Sequence, residues 1–295
     1  MTIKEKTPSP SLVNEKIKSF QKAINQKIQE KIDLFPPAGR LKEACEYALL
    51  TKGKRFRPAL VFMVAQALQK GFDVTSAALA TEYFHTASLI ADDLPCMDND
   101  DERRNQPTVH KIYGETVAVL ASYALIAEGY SAIADAGKSF DADPTKGAMR
   151  VMIALENVAF NAGLSGAAGG QFLDLFPPDQ REETLREMVH KKTTALFEIS
   201  FMLGWLFGGG DLDKLPHVKK CASHFGMAFQ VADDLDDIDQ DLENGSNLAV
   251  VLGKETAKNI FFEETKLYRT LLQELQIDSP DLLGLAVALE SNVDL

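Results

Sequence analysis

The sequence predicts a protein built from α-helices alone, and two observations support this prediction. Hydrophobic residues recur every three or four positions over most of the 295 residues, which is the period of an amphipathic helix. No segment alternates strictly between apolar and polar residues, as a half-buried β-strand would. Because the chain contains neither an internal repeat nor a composition shift typical of a linker, we expect one all-α domain over residues 1–295, with residues 1–11 as a flexible tail.

The helices follow one another with turn residues between them. The first, Leu12–Leu34, has apolar residues three or four apart and stops before Pro36 and Pro37, which cannot continue a helix. Gly, Pro, Asp and Asn mark the breaks between the others. The remaining predicted helices are Ala38–Leu50, Pro58–Gln69, Ser76–Asp93, Thr116–Gly137, Thr145–Gly163, Glu183–Gly204, His217–Asp241 and Thr256–Leu275.

Composition excludes several classes of protein. Hydrophobic residues make up 45% and charged residues 25%, as in soluble globular proteins. A formal net charge of −12 repels a phosphate backbone, so nucleic acid is not an expected partner. The three cysteines, Cys45, Cys96 and Cys221, are too few and too far apart for a disulfide framework or a zinc quartet, which fits a reducing compartment.

The apolar runs predict neither a leader nor a membrane span. The N-terminal residues contain no apolar core of the kind that a secretory signal has. The longest apolar runs, such as Val117–Ala127, are shorter than the roughly 20 residues that a spanning helix needs. We therefore expect a cytoplasmic protein without a membrane span.

Two clusters of aspartates stand at the ends of apolar helices. Asp92, Asp93 and Asp98 lie at the C-terminal end of the fourth predicted helix, where the partial negative charge of a helix disfavours acids. In the second cluster Asp233 and Asp237 are four residues apart and share one helix face, which Asp241 extends. Carboxylate oxygens are the ligands of hard divalent cations, so the two clusters together predict a Mg²⁺ site. The alternative is two solvated acidic helix ends.

Basic residues could hold the phosphates to which such a metal binds. Residues 52–57 carry four cations, and Pro58 follows, so that the run stands at a helix N-terminus, where free N–H groups favour anions. Arg103 and Arg104 follow the first aspartate cluster, and Lys192 precedes Thr193. His85, two helical turns before Asp92, is a further candidate donor to a phosphate. The alternative for each is a solvated charged face.

These residues together resemble the trans-prenyltransferases, the all-α synthases that make geranyl, farnesyl and geranylgeranyl diphosphate. The match covers roughly Leu41–Asp237 in the correct order, and the ordered set is far more specific than any single motif. The matching segments are 53–58 (Gly-Lys-Arg-Phe-Arg-Pro), 82–85 (Glu-Tyr-Phe-His), Asp92-Asp93-x4-Asp98, Arg103-Arg104, Gly169-Gly170-Gln171 with Asp174-Leu175, Lys192-Thr193, and Phe229-Gln230 before Asp233-Asp234-x2-Asp237.

The resemblance implies an isoprenoid-synthase-type bundle around a central cavity, a homodimer, and about three Mg²⁺ ions bound with the allylic diphosphate. It implies a reaction between isopentenyl diphosphate and dimethylallyl, geranyl or farnesyl diphosphate. It also assigns roles: isopentenyl diphosphate binding to Lys54, Arg57, His85 and Arg104; Mg²⁺ to Asp92, Asp98 and Asp233, with Asp93 and Asp237 in support; contacts to the allylic diphosphate to Arg103 and Lys192; and dipoles that face the carbocation to Thr193 and Gln230.

Product length should depend on the helix that ends at Asp92. In the family, an aromatic residue five positions before the first aspartate often stops growth at fifteen carbons. Here that position is Ala87, next to Ser88, and the larger Phe84 lies one turn deeper. Because a helical turn rises about 5.4 Å, close to one isoprene unit, we expect geranylgeranyl diphosphate, with farnesyl diphosphate as the alternative. A residue from another helix could set the limit instead.

The sequence also departs from the family. Ala91 stands where His is frequent, residues 121–125 read Ala-Ser-Tyr-Ala-Leu in place of Ala-Gly-Asp-Ala-Leu, and no lysine occurs between Asp233 and Lys254. The short acidic segment 239–247 replaces a longer loop with lysines. Three other functions therefore stand beside a chain-elongating synthase: a terpene cyclase, against which Lys54 and Arg57 argue; a catalytically weak partner subunit; and a structural metal-binding bundle.

Overall fold

The computed structural model describes residues 10–238 and 247–293, and these are almost entirely helical. The α-helices are α1 Pro10–Ile32, α2 Arg40–Leu50, α3 Phe56–Ala67, α4 Thr75–Asp92, α5 Val109–Tyr113, α6 Glu115–Ala136, α7 Pro144–Ala162, α8 Ala167–Leu175, α9 Glu182–Val189, α10 Ala195–Phe207, α11 Leu215–Asp236, α12 Leu248–Leu252, α13 Lys254–Glu274 and α14 Pro280–Val293. Short 3₁₀ turns, Gly137–Phe140 and Leu212–Lys214, follow α6 and precede α11, and a π-helical turn, His190–Thr194, joins α9 to α10.

The predicted fold class is confirmed, because every predicted stretch is helical over most of its described residues. The stretch predicted as Glu183–Gly204 is α9, the π turn and α10 in succession. The short helices α5, α8 and α12 and the C-terminal α14 were not predicted, since a five-residue helix shows little periodicity and α14 has apolar residues around most of its circumference. Asp241 and most of the acidic segment 239–247 lie outside the described residues, as does most of the predicted N-terminal tail.

One pair of short strands interrupts the helices. β1, Glu102–Arg103, pairs antiparallel with β2, Gln106–Pro107, and Arg103 is opposite Gln106. The two residues between the strands, Arg104 and Asn105, both have positive φ angles, of 57° and 59°. Two-residue hairpins favour turns with two positive φ angles because such turns match the twist of the strands.

The core surrounds α10, whose residues are all buried. A helix that is apolar on every side is stable only inside the protein, and α10 is covered by α3, α4, α7 and α11. The main hydrophobic cluster extends from Phe20 on α1 to Ala286 on α14, so both ends of the described chain belong to the same core. Around this core, α4 and α11 each carry one of the aspartate clusters at the C-terminal end.

Two helical stretches have apolar surfaces that the described chain covers only in part. Glu115–Phe140 and Pro144–Leu175 are long and apolar enough to cross a membrane, although only 39% and 28% of their most apolar windows are buried. The core helices of soluble proteins meet the same criteria of length and composition. The sequence prediction counted uninterrupted apolar runs, and these windows also include polar residues.

Candidate active site

A cationic cavity of about 460 Å³ opens between the α2–α3 loop, α4 and the β-hairpin. Its lining includes all four residues that the sequence analysis assigned to isopentenyl diphosphate: Lys54, Arg57, His85 and Arg104. Lys52 and Arg55 also line this cavity, although the charge of Arg55 is paired with Glu82, and among the described residues no carboxylate lines it. An uncompensated group of cations in a protein with a net charge of −12 is suited to a multiply charged anion.

Arg57 and His85 form the deepest part of this cavity. The guanidinium of Arg57 lies 4.7 Å from the ring centroid of Phe197, and its Nη1 is 3.2 Å from Nε2 of His85. Burial, followed by the charges of Arg57 and Arg104, holds the pKa of His85 well below its usual value. His85 is therefore neutral and accepts a hydrogen bond from Arg57. Burial also lowers the pKa of Arg57 to about 10, which leaves the guanidinium charged at neutral pH.

The hairpin turn places Arg104 in the cavity, and Gly53 makes room for it. Arg104 occupies the left-handed region, where residues with a Cβ seldom lie, and such strain is common at functional sites. A Cβ on Gly53 would stand 2.4 Å from Nη1 of Arg104, closer than any real contact. A side chain at position 53 would therefore displace the Arg104 guanidinium. The sequence suggested a phosphate contact here but not this close packing.

An acidic cavity of about 210 Å³ lies at the end of α11, beside the π turn. Its lining includes Asp233 and Asp237, together with the predicted Lys192, Thr193 and Gln230. The Asp233 side chain is open to solvent, but the protein around its carboxylate removes part of its hydration and so raises its pKa, and the neighbouring Asp237 raises it further. The charges of Lys54 and Arg57 oppose this shift without cancelling it.

Asp234 has a different role from its neighbours in the second cluster. Thr193 Oγ1 donates to Gln230 Oε1 at 2.7 Å, and Gln230 Nε2 donates to Asp234 Oδ1 at 2.8 Å. The other oxygen, Oδ2, accepts from the backbone N–H of Leu248 at 2.8 Å, at the start of α12. Asp234 is buried, and these hydrogen bonds orient Gln230 and hold the start of α12. The sequence analysis did not assign this residue, although its place between two candidate ligands was a signal.

The π turn is held between two glycines. A Cβ on Gly170 of α8 would stand 2.3 Å from the backbone nitrogen of Lys192, and one on Gly226 of α11 would stand 2.9 Å from Cα of Thr194. Lys192 donates to Asp174 of α8, a residue that sequence reasoning quoted but did not assign. Single π turns inside α-helices occur frequently at functional sites. This one brings Lys192 and Thr193 to the acidic cavity.

The first aspartate cluster divides into two parts. Burial raises the pKa of Asp92 to about 6, and the charge of Lys192 opposes this shift, so the end of α4 lies near the π turn. Asp98 is exposed and accepts from Gln171 Nε2 at 2.9 Å. Asp93 is buried, and its Oδ1 accepts from Nε of Arg103 at 2.8 Å.

Asp93 and Arg103 therefore bind each other, although the sequence analysis assigned them separately to metal and to diphosphate. Arg103 also donates to Asp100. The pair lies beside a small separate cavity between α2, α4 and the hairpin. This contact anchors the hairpin that carries Arg104. Within the described chain, the other two acids of the cluster, Asp92 and Asp98, form no salt bridge with Arg103.

The arrangement fits Mg²⁺ bound together with substrate oxygens. No three Asp, Glu, His or Cys side chains among the described residues form a ready-made metal cage. Mg²⁺ seldom uses such a cage, since it keeps several waters and combines one or two carboxylates with phosphate oxygens. Asp92 and Asp98 on one side and Asp233 and Asp237 on the other offer oxygen donors of this kind.

The residues predicted to set product length lie between α4 and α6, away from both cavities. The ring of Phe84 packs against Gly129, where a Cβ would stand 2.6 Å from it, and meets Tyr130 edge-on at 5.3 Å. The carbonyl of Ala87 accepts from Ser122 Oγ at 3.0 Å. Ser88 Oγ donates to the carbonyl of His85 at 2.9 Å.

Comparison with known proteins places the chain among relatives. The family profile described as polyprenyl synthetase matches residues 38–254. The chain is 38% identical to the heterodimeric geranylgeranyl pyrophosphate synthase large subunit 1, chloroplastic, of Arabidopsis thaliana, over 82% of this chain and 63% of the relative. It is 36% identical to the chloroplastic geranylgeranyl pyrophosphate synthase of Capsicum annuum, over 96% of this chain and 71% of the relative. The chain thus spans about two thirds of the length of these curated relatives.

Solved structures show the same fold. An FPP/GFPP synthase from Zymomonas mobilis superimposes with a TM-score of 0.79 at 29% identity, over 92% of this chain and 98% of that one. A geranyltransferase from Legionella pneumophila superimposes with a TM-score of 0.83 at 26% identity, over 97% and 99%. The helical architecture described above is therefore shared over nearly the whole chain.

Proposed function

The chain belongs to the polyprenyl synthetase family, and from this premise we propose that it is a Mg²⁺-dependent trans-prenyltransferase. In this proposal it condenses isopentenyl diphosphate with an allylic diphosphate, and the main product is geranylgeranyl diphosphate. The observation that carries the proposal is the pair of cavities: one lined by cations without carboxylates, the other acidic and located at the end of α11. A reaction between two diphosphates needs two such sites.

The cationic cavity would hold isopentenyl diphosphate. Lys54, Arg57 and Arg104 supply fixed positive charge, and Arg forks suit bidentate contacts to phosphate oxygens. Neutral His85 accepts a hydrogen bond from Nη1 of Arg57, and the remaining N–H groups of this guanidinium would donate to the diphosphate. Since this charge belongs to the polypeptide, the site binds a diphosphate without a metal ion.

The acidic cavity would hold the allylic diphosphate. Asp92, Asp98, Asp233 and Asp237 would bind Mg²⁺, three ions by the family resemblance, and Lys192 would reach the same diphosphate. When bound, Mg²⁺ neutralises the leaving diphosphate and so makes cleavage of the allylic C–O bond possible. Arg103, held by Asp93 and Asp100, would support this side of the site through the hairpin.

Thr193 and Gln230 would act on the cation that forms. Cleavage of the C–O bond leaves an allylic cation, which the double bond of isopentenyl diphosphate attacks, and loss of a proton completes an extension by five carbons. The Thr193 hydroxyl and the Gln230 amide, oriented by Asp234, present fixed dipoles towards developing positive charge. Aromatic side chains from α3, α10 and α11 keep water from the cation: Phe56, Phe197 and Phe229.

The family resemblance supports a product of twenty carbons. Ala87 and Ser88 are small residues about one turn before Asp92, and Phe84 would end chain growth one turn further along α4. Curated relatives named geranylgeranyl pyrophosphate synthases support this length. The alternative is a farnesyl diphosphate synthase, and structural relatives include an FPP/GFPP synthase.

The exposed apolar faces of α6 and α7 support a homodimer. Leu120 and Tyr123 on α6, and Met149, Met152 and Phe160 on α7, are each between 46% and 64% exposed. Apolar surface of this size is usually covered by a partner. A monomeric mass by light scattering at micromolar concentration would contradict this part of the proposal.

A second candidate function is that of a weak partner subunit. One relative is a heterodimeric large subunit by name. The absence of lysines between Asp233 and Lys254 favours the same idea. The predicted cytoplasmic location stays a prediction, since relatives carry chloroplastic and mitochondrial names.

One assay tests the proposal. The purified protein is given isopentenyl diphosphate with dimethylallyl, geranyl or farnesyl diphosphate in turn, with Mg²⁺, and the products are separated by length. We expect a C20 product from every allylic substrate. No product with any of them would exclude a synthase and favour the partner subunit, and a C15 limit would favour the farnesyl alternative.

A further inference from the structure

Two charged residues of the motifs have no assigned role in the proposed diphosphate sites. Arg55 is among the residues that line the cationic cavity, but all three nitrogens of its guanidinium are bound to other groups of the protein. Arg55 lies in the run of cations between α2 and α3, and Glu82 lies on α4, three residues before His85. Arg55 is only 4% exposed and Glu82 only 1%. Buried charges are stable only when they are paired and hydrogen-bonded, so their partners indicate their role.

The Arg55 guanidinium binds elements that meet at the start of α3. It donates to Oε1 of Glu82 on α4, to Oδ1 of Asn25 on α1 at 2.9 Å, and to the carbonyls of Leu49 and Thr51 at the end of α2, the latter at 3.1 Å. Carbonyls at a helix C-terminus lack partners within the helix and favour a cation. A single side chain therefore connects α1, α2 and α4.

The backbone of Arg55 is strained, and these contacts maintain it. Its φ angle of 44° is in the left-handed region, immediately before the first residue of α3. A residue with a Cβ stays there only when its surroundings enforce the conformation. The adjacent Lys54 is held as well, because Gln21 of α1 donates to its carbonyl. The loop is thus fixed where the cavity needs Lys54 and Arg57.

Arg55, at the end of the loop, and Arg57, the second residue of α3, bind the same helix. Arg55 binds Glu82, and Arg57 binds His85 one turn further along α4. Glu82 neutralises the interior arginine, and among the described residues it lies outside the cavity lining. The cations that face the cavity therefore keep their charge for an anion.

We propose that Arg55 and Glu82, together with Asn25, are positioning residues that hold Lys54 and Arg57 in the geometry that binds a diphosphate. This inference rests on the proposed function, because it takes the cationic cavity as the site of isopentenyl diphosphate. None of the three residues touches the substrate in this proposal.

The test uses an anion that needs no turnover. Binding of inorganic pyrophosphate is measured by calorimetry in EDTA, where the metal-free aspartates repel the anion and the cationic cavity alone attracts it. Arg55→Lys keeps the charge but loses the planar fork. We expect its affinity for pyrophosphate to fall about tenfold and its KM for isopentenyl diphosphate to rise by a similar factor, with the allylic KM unchanged.

Arg150→Lys is the matched control. Arg150 is also buried and also binds carbonyls, those of Leu206 and Gly210, but it lies on α7 away from both cavities. We expect this variant to change thermal stability without changing pyrophosphate affinity or either KM. Unchanged pyrophosphate affinity in Arg55→Lys, or an equal rise of both KM values, would overturn the inference.

A milder variant covers the case in which Arg55→Lys does not fold. Asn25→Ala removes one hydrogen bond from an exposed residue, so we expect a folded protein with pyrophosphate affinity reduced about threefold. Wild-type affinity in Asn25→Ala would then overturn the inference. A wild-type protein that binds pyrophosphate but forms no product would refute the proposed function alone, since the variant affinities still measure positioning.

Discussion

The cationic and the acidic cavity differ in what the polypeptide supplies. In the first, every charge that an anion needs is in place, and a buried ion pair beneath it fixes the loop that carries two of them. In the second, Asp233 and Asp237 of α11 lie in one cavity with Lys192, and desolvation raises the pKa of Asp233. The positive charge of the first cavity belongs to the polypeptide, whereas in the proposed function the second cavity binds a diphosphate only together with Mg²⁺.

The largest expected effect concerns the acidic cavity. Asp92→Ala or Asp233→Ala removes an oxygen donor for Mg²⁺, so turnover should fall by about three orders of magnitude while the fold persists. Steady-state kinetics and circular dichroism check both points. Asp236→Ala is the matched control, because Asp236 belongs to the same cluster but is exposed and does not line the cavity. Turnover near the wild-type value in either variant would contradict the metal assignment.

The next effect concerns the cationic cavity. Lys54→Ala and Arg57→Ala should raise the KM for isopentenyl diphosphate about ten- to a hundredfold, the cost of one hydrogen bond between charged groups. The allylic KM should change much less, because these residues line the cationic cavity and not the acidic one. Lys138→Ala, on an exposed lysine, serves as the control. Equal changes in both KM values would indicate a general structural role.

A smaller effect should come from close packing in the same cavity. Gly53→Ala introduces a Cβ that would stand 2.4 Å from Arg104 Nη1, so the guanidinium must move. We expect the KM for isopentenyl diphosphate to rise about fivefold, without a change in the metal dependence of turnover. Gly137→Ala creates a similar clash, with Val151, at the end of α6 and should affect only stability. An unchanged KM in Gly53→Ala would argue against a fixed position of Arg104.

The smallest change in kinetic constants should come from substitutions on α4 in the two turns before Asp92. Ala87→Tyr should shorten the product to fifteen carbons, and Phe84→Ala should lengthen it beyond twenty, while both KM values stay close to those of the wild type. Product lengths are read by chromatography. If neither variant moves the distribution, another helix sets the length. The result shows whether these residues change the length of the product without changing the binding of either diphosphate.

The sequence by itself determined the helices, and it singled out several of the charged residues that line the two cavities. Helical periodicity is a local property, legible within a window of a few turns, and the predicted stretches are helical in the structure. The sequence also identified the charged residues that could bind a ligand, because carboxylates and cations on apolar helices are stable only with a partner. Lys54, Arg57, His85 and Arg104 do line one cavity together.

Only the tertiary structure decided which charged groups bind each other. Asp93 binds Arg103, Asp234 fixes α12, and Arg55 binds Glu82, 27 residues away. None of these pairings follows from the spacing of residues along the chain. They depend on the rotation and packing of whole helices, which place one aspartate of a cluster in the interior and its neighbour in the cavity. Local sequence sets the period of a helix, but its neighbours decide which face meets a partner and which meets the substrate.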